Sequence, residues 1–111
     1  MKVVRGALLC AFTASLVGCG MHVDVTKTTK GFVTPTRADD VEILMLDPTQ
    51  SYAELGSVSV YNCVPSDAAR MHNALRAKAA PLGADAVVLR NMGFDGSYLW
   101  ATGAAIKYAK K

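Results

Sequence analysis

The stretch PSDAARMHNALRAKAAPLGADAVVL, residues 65–89, decides the fold, because it delivers one amphipathic helix, a stop and a buried strand in succession. Pro65-Ser66-Asp67 opens the helix, with the Ser66 hydroxyl suited to cap free amides and Asp67 near the positive end of the helix dipole. Ala68, Met71, Leu75, Ala79 and Leu82 follow at spacings of three or four and form one apolar stripe, while Arg70, Asn73 and Lys78 look outward. Pro81 removes an amide from the last turn and Gly83 suits a left-handed cap, so the helix ends near residues 80–82. Ala84-Asp85-Ala86-Val87-Val88-Leu89 then opens a strand whose small side chains let the helix lie close above it.

Downstream, Gly93-Phe94-Asp95-Gly96 turns the chain, and Asp-Gly is a strong hairpin signal. The strand from Ser97 to about Tyr108 alternates Tyr98, Trp100, Thr102, Ala104, Ile106 and Tyr108 on one face with Leu99, Ala101, Gly103 and Ala105 on the other. Two apolar faces on one strand imply that one meets the helix and the other meets either the N-terminal tether or a partner. Upstream, Glu54 to Tyr61 places Val58 and Val60 opposite Ser57 and Ser59, the period of a half-buried strand, and Gly56 marks a bulge or a close backbone approach. Before it, Val41 to Leu46 is a short apolar run ended by Asp47-Pro48. The expected domain, residues 41–111, is α+β: a β-β-α-β-β unit with a four-stranded, mostly antiparallel sheet and one packed helix. A core of about 70 residues is marginal, which favours a homo-oligomer.

The front of the chain is different. Lys2 and Arg5 precede the apolar run Ala7 to Val17, and small residues follow, the layout of a secretory signal. About a dozen apolar residues are too few for a bilayer-spanning helix, which needs roughly 20. Leu16-Val17-Gly18-Cys19 resembles the lipobox of bacterial lipoprotein signal peptides. The resemblance implies removal of residues 1–18, a diacylglyceryl group on the Cys19 thiol and acylation of the new amino group. Several acyl chains at about 0.8 kcal/mol per buried methylene hold a protein on a membrane durably. Gly20 occupies the position where aspartate retains such proteins in the inner membrane, so the resemblance implies the periplasmic leaflet of the outer membrane. Residues 19–40, polar and threonine-rich after the cysteine, read as a lipidated N-terminus and flexible tether, with a short strand at His22 to Val25 as the other reading.

Of 12 basic and 9 acidic residues, Lys2 and Arg5 leave with the signal, so 12 − 2 = 10 basic groups remain and the formal net charge is about +1. Nothing in that balance argues for nucleic-acid binding, which calls for a basic face on a well-charged domain. Cys10 leaves as well and Cys19 is blocked by lipid, so Cys63 is tucked away, exposed and reduced, or paired with another chain. His22 and His72 have no second ligand at metal-like spacing, Asp39, Asp40 and Asp47 form no acid and base pair, and no serine sits in a nucleophile elbow. No enzyme, metal or cofactor is expected. The candidate contact residues are Cys63, Tyr98, Trp100 and Tyr108, since amphipathic rings favour interfaces.

Tyr52-Ala53-Glu54-Leu55-Gly56-Ser57-Val58, Leu82-Gly83-Ala84-Asp85-Ala86-Val87-Val88 and Gly103-Ala104-Ala105-Ile106 resemble, in that order, a group of small bacterial domains. The group includes the YbjQ-type domains and the Rcs stress-sensing outer-membrane lipoprotein. The resemblance implies an envelope lipoprotein that acts by contacting other proteins, in envelope maintenance or stress signalling. The sensor carries two disulfides, whereas this mature chain has Cys63 alone. YbjQ-type domains do without disulfides and assemble as oligomers. The rival expectation is a small-ligand or metal-binding lipoprotein built on His72 and Cys63.

Overall fold

The computed structural model describes residues 21–109. These fold as a small α+β domain with one α-helix against a five-stranded mixed sheet. The strands are β1 (His22–Lys27), β2 (Glu42–Leu44), β3 (Tyr52–Cys63), β4 (Ala86–Asp95) and β5 (Tyr98–Tyr108), in the order β1-β3-β5-β4-β2. The helix, α1 (Ala68–Ala79), packs against one face. The expected four strands are therefore five, and β2 lies parallel to β4 along Glu42↔Ala86 to Leu44↔Val88 while the other pairings are antiparallel.

The additional strand is β1. Within the residues expected to form a tether, Val23 and Val25 alternate with Asp24 and Thr26, and the valines turn to the helix side against Val60 and Val58. Burying them outweighs the freedom of a linker. The following segment is also held, because the Thr36 amide donates to the Ala80 carbonyl at 2.9 Å and its hydroxyl to the Ala84 carbonyl at 2.6 Å. Residues 21–37 thus belong to the domain. Cys19 and the signal segment lie outside the described residues.

Helix α1 buries Met71, Leu75 and Ala79, three members of the expected stripe. Its start differs from expectation: Pro65–Asp67 forms a short 3-10 turn, no side chain caps the helix, and Asp67 pairs with Arg70 at 3.3 Å instead. Its end is as read, with a 3-10 turn at Ala80–Leu82 and Gly83 at φ 88°. Beneath the helix, Val58, Val60, Leu89, Ala101 and Ala105 form the principal core with Leu55 and Cys63.

The opposite face carries a smaller cluster, Ala86, Val88, Ala104 and Ile106, flanked by Leu44, Tyr52 and Tyr108. Both apolar faces expected of β5 are present. β2 and β3 are separated in the sheet by β4 and β5, so residues 45–51, and not the segment before residue 41, must cross between them. Arg90 pins that crossing with bonds to Asp47 at 3.2 Å, the Tyr52 hydroxyl at 3.0 Å and Glu54 at 2.9 Å. Burial opposes the Arg90 charge, but the bonds to Tyr52, Asp47 and Glu54 prevail and raise its pKa.

Candidate functional site

The site begins with an irregularity in β3. Between Val60, opposite Ala101, and Cys63, opposite Leu99, two residues face one on β5. Such a bulge turns the strand and re-aims its side chains. Asn62 takes up the distortion at φ 58°, the one non-glycine residue with positive φ among those described. Asparagine tolerates this conformation better than most residues. The result is that Cys63 turns into the core at 0% exposure, while Tyr61, directly opposite His22, stays 48% exposed.

Beside the bulge, β4 and β5 run into a tight hairpin closed by Gly96 at φ 65°. Tyr98 and Trp100 project from the same side of β5, two residues apart. The Trp100 indole lies over Gly93, where a methyl group would come within 2.8–2.9 Å of ring atoms. Glycine therefore seats the ring. Tyr61, Asn62, Phe94, Asp95, Tyr98, Leu99 and Trp100 enclose a cleft of about 370 Å³. That falls in the range of about 300–1,000 Å³ typical of small-ligand sites. Four of its seven lining residues are aromatic, and Phe94 is 64% and Tyr98 48% exposed.

No family model matches the chain, and no curated protein matches it. A solved structure shares its fold. The crystal structure of the Francisella virulence factor FvfA is similar with a TM-score of 0.60 at 13% identity, over 77% of this chain and 96% of that one. At that identity the likeness is one of fold, and it supports the single helix on a sheet.

The candidates from the sequence separate in space. Tyr98 and Trp100 meet in the cleft, joined by Tyr61, Asn62, Phe94 and Asp95, which pattern reading passed over. In the sequence Phe94 and Asp95 read as turn residues, and Tyr61 is legible only once the bulge is known. Tyr108 lies at the far end of β5, beside the second cluster, where its amide donates to Asp85 at 2.9 Å. Its hydroxyl pKa is raised by burial and by the charges of Glu42 and Asp85.

Cys63 is not a surface thiol. Its Sγ lies 3.5 Å from the Val64 carbonyl, and burial, with Asp67 adding to it and Arg70 opposing, raises its pKa. Both effects suppress the thiolate that reacts. An aromatic disulfide reagent should label Cys63 far more slowly in native buffer than in denaturant, and equal rates would contradict this burial.

His72 is half-buried on α1, and its pKa is lowered by burial and then by Arg76. Among the described residues, no three His, Cys, Asp or Glu are placed to hold a metal ion. Because folding lowers the imidazole pKa, the unfolded chain binds its proton more tightly. The contribution of neutral His72 is intact above the ordinary value near 6.5 and is lost as pH falls through the window below it. Urea midpoints at pH 7 and pH 5.5 should differ less for His72→Gln than for the unaltered chain; an identical difference would show that His72 is not involved.

Proposed function

We propose that the chain is a noncatalytic lipoprotein, anchored through Cys19 to the periplasmic leaflet of the outer membrane, which works by contact with other envelope proteins. The reading joins two supports. The first is the lipobox-like Leu16-Val17-Gly18-Cys19. The second, which carries it, is a domain that leaves large hydrophobic side chains exposed away from the hairpin, Phe32 and Leu46 most of all, besides the aromatic cluster of Tyr61, Phe94 and Tyr98. Aromatic rings on a rigid frame are contact surface with little ordering cost. The three quoted sequence segments that resemble the Rcs sensor and YbjQ-type domains favour envelope maintenance or stress signalling as the process.

The structure also alters how such an anchor would work. Only Gly20 separates Cys19 from Met21, whose side chain packs against the core. Two extended residues span about 7 Å. A lipidated Cys19 would hold the domain at the membrane surface, where a 20-residue tether would have let it stand away.

Partner contact is tested by placing a photo-crosslinking amino acid in turn at Phe32, Leu46 and Tyr98, all exposed, in living cells. A discrete protein adduct from at least one position is expected. Monomer alone from all three, under conditions where a known lipoprotein pair crosslinks, would contradict the contact role.

A further inference from the structure

The chain enters the domain at its aromatic end, since His22, the first residue of β1, lies opposite the cleft residue Tyr61. Of the eight large hydrophobic side chains that are exposed among the described residues, five are Tyr61, Val64, Met92, Phe94 and Tyr98. Met92, Phe94 and Tyr98 lie in the hairpin, Tyr61 near the end of β3 alongside it, and Val64 just beyond that end. Tyrosine and tryptophan are the residues that settle at a membrane–water interface, apolar body inward and polar tip toward water. Cys19 sits two residues before Met21, so acyl chains on it enter the bilayer within about 7 Å of that packed residue.

The polar members of the cleft say what part of a lipid it fits. Asp95 and Asn62 are its non-aromatic polar groups, and no basic residue lines it. Asp95 joins none of the ion pairs found among the described residues, which link Arg37 to Asp39, Arg70 to Asp67, and Arg90 to Asp47 and Glu54. Rings presenting negative faces beside a free carboxylate attract an organic cation, and ammonium groups in aromatic cages are the best-known instance.

We propose that this end of the sheet rests on the bilayer and that the cleft takes the ammonium of a zwitterionic phosphoethanolamine headgroup. The proposal rests on Cys19 being the lipid anchor. The headgroup ammonium enters among Tyr61, Tyr98 and Trp100 with Asp95 as its counter-charge, and the rings occupy the headgroup layer. The domain is thereby oriented on the membrane, with Tyr108 and the ends of β5 and β3 opposite the hairpin turned away.

Trp100 is the single tryptophan of the chain, so its fluorescence reports on the cleft alone. The full-length protein is purified from membranes, its Cys19 acylation is read by intact mass, and it is reconstituted into vesicles of phosphatidylethanolamine with phosphatidylglycerol or of phosphatidylglycerol alone. With acylated Cys19, Trp100 should be shielded from acrylamide relative to the unlipidated Cys19→Ala chain in buffer, and quenched by lipids brominated near the headgroup. Shielding should be stronger with phosphatidylethanolamine, and Asp95→Asn should reduce that preference about threefold. Acylated protein with Trp100 as open to acrylamide as the unlipidated chain would overturn the orientation while leaving the anchor intact. Equal shielding in both vesicle types would overturn the ammonium assignment. A protein adduct from Tyr98 together with an unshielded Trp100 would assign the cleft to a protein instead. An unacylated Cys19 would remove the anchoring reading and the orientation with it.

Discussion

Replacing Gly103 by alanine is expected to cost about 3 kcal/mol of folding stability, at the upper end of what overpacking does. A methyl group there would lie 1.8 Å from the Val88 carbonyl oxygen and 2.9 Å from the Leu89 Cα. Both obstacles are backbone, in the strand paired with β5 and next to the Leu89/Asn91 register shift. Neither can rotate away, so β4 and β5 must separate at the centre of the sheet. For a domain of this size, holding roughly 5–10 kcal/mol, that is a third or more of the total. Gly96→Ala is the contrasting case, because nothing lies within 4 Å of the added carbon and only its φ of 65° resists. About 1 kcal/mol is expected there. Urea denaturation of the two variants separates a clash from a conformational preference. A Gly103→Ala midpoint equal to that of the unaltered chain would show that the β4–β5 approach is looser than described.

The second large effect is expected at Leu75, whose side chain is 0% exposed at the middle of α1. It belongs to the same buried cluster as Val58 and Val60 of β3 and Leu89 of β4, and with Met71 and Ala79 it forms the buried stripe by which the helix meets the sheet. Leu75→Ala removes three carbons and leaves a cavity that a sheet and a helix cannot both collapse to fill. The expected cost is about 2–5 kcal/mol. Lys78→Ala, exposed on the outer side of the same helix, should change stability by less than about 0.5 kcal/mol. Similar midpoints for the two variants would contradict the packing of α1 on the sheet.

These effects track how much of the fold the residues declare. Helix α1 is legible because its period is long and its stop is doubly marked by Pro81 and Gly83. The β4–β5 hairpin is legible through Asp95-Gly96. β1 is legible only as the second reading of His22 to Val25, because a six-residue strand with threonine and lysine around two valines has the composition of a linker, and the edge of β3 decides for the strand. The parallel pairing of β2 is equally hidden: a three-residue strand declares neither direction nor partner, and its place is set by the crossing that Arg90 pins. The site shows the same division. Tyr98 and Trp100 announce themselves by alternation, whereas Tyr61, Asn62 and Phe94 join them through a bulge and a turn that no periodicity encodes.

A close junction between anchor and domain gives the account its mechanical content. Met21 packs, partly buried, against the core and β1 starts at once, so whatever holds Cys19 also holds the sheet. If Cys19 carries the proposed anchor, the membrane would constrain the position and tilt of the domain, and protein contacts would fall to surfaces remote from the hairpin, such as the one bearing Met45 and Leu46.

The most direct test of anchoring is the intact mass of the native protein and of a Cys19→Ala variant, each recovered from separated inner and outer membranes. The account predicts a wild-type protein in the outer membrane that lacks residues 1–18 and carries added acyl mass, and a variant that does neither. Wild-type protein that is soluble, or that keeps its first 18 residues without added lipid, would contradict it.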